Sequence, residues 1–221
     1  MSSEKSPSTF IHPERGTLIV VSAPSGAGKS SLAERVLKRV EGLRFSISYT
    51  TRESRGTEQD GIDYYFVSED KFRAMRERDE FLECAEVHGS LYGTHEKPVE
   101  ELLSQGFDVM LDIDVQGAEQ IRRRVPEAIL IFVMPPSSEV LEARLRARNL
   151  NTPADIDRRL RNAAIEVQLY DRFDYVVVND DLDRALAQLE AIIIAERCYP
   201  DRQRNRIESV IATFGGESYH A

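Results

Sequence analysis

Gly26, Gly28, Lys29 and Ser30 stand together in "LIVVSAPSGAGKSSLAERVL", between an apolar run and a segment with the spacing of an amphipathic helix. Glycines at such a junction let backbone N–H groups converge on an anion at a helix N-terminus, where the helix dipole favours negative charge. In this phosphate cradle Ala23, Pro24, Ser25, Gly26, Ala27, Gly28, Lys29, Ser30 and Ser31 would surround nucleotide phosphates, with Lys29 reaching the outer ones and Ser30 holding Mg²⁺. The strict P-loop pattern opens on Gly, and here the first position is Ala23; the change matters little if Ala23 keeps an ordinary backbone conformation. The plain alternative is a Gly-rich turn between a strand and a helix.

A second chemical signal closes the stretch "DVMLDID", an apolar run ending in two carboxylates, Asp112 and Asp114. In a P-loop protein an acid at a neighbouring strand end orients the Mg²⁺ that the loop hydroxyl also holds, and Asp112 is the first choice for that role, through water. Without the loop, these acids would read as a polar strand exit.

The elements that must position these residues follow from periodicity. "TLIVVSA" has the character of a buried parallel strand, and "SSLAERVLKRV" spaces Leu32, Val36, Leu37 and Val40 as a helix does. "RFSISYT", "DVMLDID", "AILIFVM" and "DYVVVND" read as further strands. "SEDKFRAMRERDEFL", "EKPVEELLSQG", "AEQIRRRVPEA", "SSEVLEARLRARN" and "DLDRALAQLEAIIIAERC" carry apolar residues three or four apart. Alternating strands and helices predict a P-loop α/β fold in three layers, with a parallel core sheet.

Two Arg-rich segments interrupt the alternation. "TTRESRGTEQDGIDYYFVSEDKF" is turn-rich, then strand-like around "DYYFV", as a small inserted subdomain would be. "RLRARNLNTPADIDRRLRNAAIEV" reads as two helices joined by a polar break, with Thr152 as cap, Pro153 opening the second helix and Asp155 near its positive end. Such a hairpin can close as a helical lid.

A chain of 221 residues with formal charge −9 can bury a full core in one domain and has no general attraction to nucleic acid or anionic membrane. Any anion it binds must meet a local Arg and Lys cluster. Cys84 and Cys198 show no metal-ligand spacing and suit packing in a reducing cytoplasm. No apolar run approaches a membrane span, and "MSSEKSPSTFIHPERG" lacks the apolar stretch of a secretory signal, reading as a mobile polar tail over 1–15. Self-association into a homo-oligomer is compatible with this composition.

"SAPSGAGKSSL", "SISYTTRESRG", "GIDYYFV", "FLECAEVHGSLYGT", "LDIDVQGAEQIRR", "RLRARN" and "VVVNDDLDRAL" together resemble guanylate kinase, in that order and from about Gly16 to Arg197. The resemblance implies a single domain over 16–198, with a GMP-binding insertion at about 46–97, a lid at about 137–163 and a C-terminal extension over 199–221. It implies that Arg52, Arg55, Tyr64 and Tyr92 hold the GMP phosphate, which suits guanidinium forks and neutral phenol donors. It puts the guanine-binding carboxylate on Glu83, assisted by Ser48, Thr94 and Asp114. Guanine offers two adjacent N–H donors to one carboxylate, whereas adenine presents a bare ring nitrogen there, so a buried Glu83 selects guanine by leaving its rival unsatisfied.

The same resemblance makes Arg144, Arg148 and Arg159 the lid residues that act with Lys29, and brings Asn179 near the ATP base. Arg146 and Arg161 read as a solvated helix face. The expected reaction is ATP + GMP ⇌ ADP + GDP with Mg²⁺. The acceptor is a phosphate oxygen already largely ionised near neutral pH, so positioning and charge neutralisation do the work. dGMP is an expected substrate too, because no residue here demands the ribose 2′-hydroxyl.

The chain departs from the family at Ser54, Gly56 and Thr57, at Ser90 and Leu91, and at Ala147 and Asn149 on either side of Arg148. The first and last of these keep length and are expected to alter loop stiffness and closure rate, while Ser90 and Leu91, in place of the commoner Asn-Tyr pair, bear on the shape of the guanine pocket. His88 and His95 flank Tyr92, yet nothing in the mechanism needs them. The competing reading is a catalytically weak guanylate kinase-like module that binds proteins; Lys29, Ser30, Asp112 and the lid arginines oppose it.

Overall fold

Leu18–Ser22 is apolar at all but its last position, and in the computed structural model, which describes residues 15–87, 89–147 and 152–214, it forms the fully buried strand β1. The chain continues through α1 (Lys29–Arg39), β2 (Leu43–Phe45), β3 (Tyr49–Thr50), β4 (Tyr65–Phe66), α2 (Glu69–Glu77), β5 (Phe81–Val87), β6 (Ser90–His95) and α3 (Glu96–Ser104). It then forms β7 (Asp108–Asp112), α4 (Val115–Arg124), β8 (Ile129–Met134), α5 (Ser138–Ala147), α6 (Pro153–Glu166), β9 (Tyr175–Val178), α7 (Leu182–Arg197) and α8 (Arg204–Thr213).

The main sheet runs β2-β7-β1-β8-β9 with every neighbouring pair parallel, a pairing that needs crossover connections. Alternate residues of β1 face opposite layers. Ile19 and Val21 pack with Leu32 and Val36 of α1 and Leu186 and Leu189 of α7; Leu18 and Val20 pack with Val99 of α3 and Ile121 of α4. Truncating one of these, such as Leu32→Ala, removes buried contacts worth about 2–5 kcal/mol. The result is the expected three-layer α/β fold, with β1 and β7 ending side by side where Val21 pairs with Asp112.

A smaller sheet runs β4-β3-β6-β5 over a core of Phe72, Met75 and Phe81, with the Phe72 and Phe81 rings stacked 4.6 Å apart. Two expectations fail here. "RFSISYT" is two strands, one in each sheet: Phe45 ends β2 beside β7, and Tyr49 and Thr50 pair with β6 and β4. Alternation specifies a strand's faces and leaves its partner open. The helix expected over "SEDKFRAMRERDEFL" stops at Glu77, Asp79 takes a left-handed conformation (φ 54), and Phe81 opens a strand. Its apolar spacing misled because Phe81 stacks on Phe72 from across a turn. The β5–β6 hairpin itself was not expected from periodicity.

The hairpin expected as a lid packs Leu141 and Leu145 of α5 against Ile156 and Ala163 of α6. Thr152 caps α6 as expected: its hydroxyl accepts from the Asp155 N–H at 3.2 Å while the Asp155 carboxylate accepts from the Thr152 N–H at 3.3 Å. The tail expected over 1–15 lies outside the described residues except Arg15, which pairs with Glu100. The extension after Cys198 contains α8, with no buried residue; 215–221 lie outside the described residues. Among the described residues no helix is long and apolar enough to cross a membrane.

Candidate active site

The loop between β1 and α1 ends at Gly28, the N-cap of α1, with φ 94 and, being glycine, no side chain to cap the first amides of the helix. Those N–H groups and the positive helix end are left to an incoming anion. Gly28 has no substitute here: a Cβ would lie 2.3 Å from Asn179 Nδ2, and its backbone is left-handed. Ala23 keeps a negative φ, Asp79 being the sole described non-glycine residue on the positive side, so this departure from the strict motif is conformationally neutral.

Register brings Asp112 to the loop. Lys29 Nζ lies 2.6 Å from Asp112 Oδ1 and donates to the Ile113 carbonyl at 2.6 Å, while Ser30 Oγ donates to Asp112 Oδ2 at 3.2 Å. A hydroxyl and a carboxylate side by side are hard oxygen donors, which fits Mg²⁺ completed by phosphate and water oxygens. Among the described residues no cluster of three His, Cys, Asp or Glu side chains could hold a metal by itself.

The loop lines a cleft of about 400 Å³ together with Ser48, Tyr64, Glu83, Tyr92 and Asp114. Glu83 is 4 % exposed, and Thr94, which stands behind it, donates from Oγ1 to Glu83 Oε1 at 2.7 Å. Burial pushes the Glu83 carboxyl from its ordinary 4.5 up to about 7, against the Thr94 hydrogen bond. Burial also raises Tyr64, with the Asp112 charge adding to it. Asp114 caps α4 by accepting from the Gly117 N–H at 2.8 Å and also accepts from Gln116 Nε2 at 3.1 Å.

Arg52 does not line the cleft directly. Its Nε donates to the Tyr92 hydroxyl at 3.2 Å, and its two terminal nitrogens meet the Glu58 carboxylate at 2.9 Å each. Glu58 also accepts from the Arg55 backbone N–H at 2.7 Å, while the Arg55 side chain is exposed. The Arg52 hydrogen bond holds the Glu58 carboxyl below its usual range.

One face of α6 also lines the cleft. Arg159, Asn162 and Glu166 line the cleft, and Arg159 donates to Ser25 Oγ at 3.3 Å. Burial, then the nearby Asp114 charge, raises the Glu166 carboxyl. Arg144 stands behind the loop, donating to the Ala27 carbonyl at 3.3 Å and the Asn179 carbonyl at 3.0 Å. Asn179 is buried beneath the loop, its amide donating to the Ala27 carbonyl at 2.7 Å. Arg148 and Asn149 lie outside the described residues, as does His88. His95 packs beside Tyr49 and Phe81.

Asn162, Glu166, Gln116 and Glu58 were not singled out from the sequence. The spacing of Arg159, Asn162 and Glu166 at three and then four positions was a usable signal for one helix face. Glu58 carried none, because its pairing with Arg52 depends on how a turn closes.

The family model for guanylate kinase matches residues 15–196. The chain belongs to the guanylate kinase family. It is 52% identical over 185 residues to the guanylate kinase of Koribacter versatilis, covering 82% of this chain and 79% of that protein. It is 47% identical over 200 residues to that of Escherichia coli strain K12, covering 90% and 97%. The crystal structure of guanylate kinase from Anaplasma phagocytophilum superposes with a TM-score of 0.76 at 32% identity, over 94% of this chain and all of that one. In this member of the family, then, the P-loop, Glu83 and the α6 face line one cleft.

Proposed function

We infer that the cleft transfers the γ-phosphoryl group of ATP to GMP, giving ADP and GDP. The observation that carries this is that two unlike sites share one cavity: a helix N-terminus with Lys29 and Ser30, and a buried carboxylate, Glu83. The first suits polyphosphate. The second suits a base with two adjacent N–H donors, which guanine has and adenine lacks.

On this reading Glu83 in its ionised form accepts both guanine N–H groups, Thr94 fixes one of its oxygens, and Ser48 and Asp114 meet the remaining edge of the base. Tyr64 and Tyr92 donate to the GMP phosphate. Arg52 and Arg55 neutralise it, with Arg52 exchanging its Glu58 partner for phosphate oxygens. Ala23 to Ser31 enclose the ATP phosphates. Ser30 and, through water, Asp112 would hold Mg²⁺, which supplies charge neutralisation on those phosphates.

No strong general base is needed, because the attacking oxygen is already ionised. Lys29, Arg159, Arg144 and Arg148 meet the charge that shifts during transfer. Asn179 supports the loop and borders the ATP side. The insertion and lid boundaries given above, acceptance of dGMP, a cytoplasmic setting and a preference for small-molecule partners over nucleic acid or membrane belong to the same reading, as does room for self-association. The protein-binding alternative is disfavoured by the intact Lys29, Ser30 and Asp112 cluster.

A coupled ADP-release assay with purified protein across GMP, dGMP, AMP, CMP and UMP tests it. Turnover with GMP and dGMP and little with the others is expected; no GMP-dependent ADP release would overturn it.

A further inference from the structure

Glu83 is set in place by α4. A Cβ built on Gly117 would lie 2.6 Å from Glu83 Oε2 and 3.1 Å from its Cδ. The space that Glu83 occupies therefore exists because residue 117 has no side chain. One turn further along the same face, Gln120 grips the next residue of β5: its Oε1 accepts from the Cys84 N–H at 3.1 Å and its Nε2 donates to the Cys84 carbonyl at 2.9 Å. β5 is an outer strand of its sheet, so its outward backbone groups have no strand partner, and the Gln120 amide satisfies them as a peptide group would. Leu82, on the other side of Glu83, packs in one cluster with Ala118 and Ile121 of α4. The carboxylate is thus fixed from three sides: Thr94 on Oε1, Gly117 beside Oε2, and the backbone held on Gln120.

We propose that Gly117 and Gln120 are positioning residues for base selection, Gly117 by leaving room for Glu83 Oε2 and Gln120 by fixing the strand that carries it. This rests on the reading of Glu83 as the guanine reader. A role in folding alone predicts something different. The clash from a methyl at 117 falls on the carboxylate end of a side chain that lines the cleft, which gives that end room to turn, with Ile113 Cδ1 at 3.2 Å the other near neighbour. Gly117 sits inside a helix, where Ala is intrinsically the better residue. Gly117→Ala should therefore keep or raise thermal stability while turning the carboxylate away from the base.

The discriminating substrate is IMP, which keeps the guanine ring but lacks the exocyclic amine. The ratio of kcat/KM for GMP over IMP is measured for the wild type, Gly117→Ala, Gln120→Leu, Glu83→Gln and the Gly117→Ala/Glu83→Gln double variant, with KM for ATP and Tm alongside. Gly117→Ala is expected to lower the ratio about tenfold or more, with KM for ATP and Tm preserved, and Gln120→Leu to lower it by less. The double variant should discriminate no worse than Glu83→Gln, because a displaced reader and an absent one are equivalent. If Glu83→Gln leaves the ratio intact, Glu83 is not the reader and the inference falls with it. If Glu83→Gln collapses the ratio and Gly117→Ala does not, only the positioning role is overturned. Should Gly117→Ala fail to fold, Gln120→Leu decides, an unchanged ratio there counting against the proposal.

Discussion

Lys29 of the P-loop is paired with Asp112 at the end of the adjacent strand, 2.6 Å from nitrogen to oxygen, with both side chains largely withdrawn from solvent. On the proposed reading, the ammonium that meets phosphate charge is held ready by the carboxylate that orients the metal. Lys29→Ala should cut turnover by about three orders of magnitude or more in a protein that still folds. Steady-state kinetics beside circular dichroism measure it; near-normal turnover in the folded variant would sink the assignment.

Glu83→Gln keeps the size of the side chain and replaces one acceptor oxygen by a donor. GMP binding should weaken by about 1–3 kcal/mol and discrimination against AMP should relax. Titrations of both nucleotides against the two proteins settle the matter, an unchanged ratio pointing to another base reader.

The raised Glu83 carboxyl also makes a pH prediction. Its folded value of about 7 lies above the ordinary 4.5, so the native state holds this proton more tightly than the unfolded chain. Its burial is unpenalised below pH 4.5, costs more as pH rises towards 7, and then levels off at a penalty on the order of 3 kcal/mol. Glu83→Gln should therefore gain stability relative to wild type at pH 8 but not at pH 4.5. Because guanine needs the ionised carboxylate, wild-type affinity for GMP should rise through pH 7 relative to the variant, a comparison that cancels the titration of GMP itself. Parallel profiles in denaturant titrations and calorimetry would refute this.

Arg144 and Arg159 should differ in kind. Arg144 satisfies the Ala27 and Asn179 carbonyls behind the loop, so Arg144→Ala should lower stability by about 1–2 kcal/mol as well as lowering activity. Arg159 lines the cleft itself, and Arg159→Ala should lower kcat with a smaller change in Tm. Equal Tm losses would place both in the same supporting role.

Closure should need both nucleotides, since the positive charge of the expected lid arginines and of Arg52 and Arg55 is drawn together only when phosphates lie between them. Fluorescence transfer between labels on Lys71→Cys of α2 and Asp157→Cys of α6, with Cys198 replaced, reads the separation. The shortest distance is expected with GMP and a non-hydrolysable ATP analogue together. One distance in all four ligand states would mean that the arginines already stand in place.

The P-loop, the α6 cap and four of the five core strands were legible in the sequence because each is a local requirement. Converging amides need glycines at fixed spacing beside a helix start, a capping box needs Thr152 and Asp155 three apart, and strands buried on both faces need unbroken apolar runs. The resemblance carried Glu83, Tyr64 and Tyr92 to positions that do line the cleft. Tertiary structure alone decided that "RFSISYT" serves two sheets, that Phe81 opens a strand, and that Arg52 rests on Glu58. It also decided that Glu83 is buried, beside Gly117 of a helix distant in the chain, and burial is what raises its carboxyl. Periodicity states which face of an element is apolar; it carries no record of which partner covers that face, and the pairing sets both the register of a strand and the dielectric around a charge.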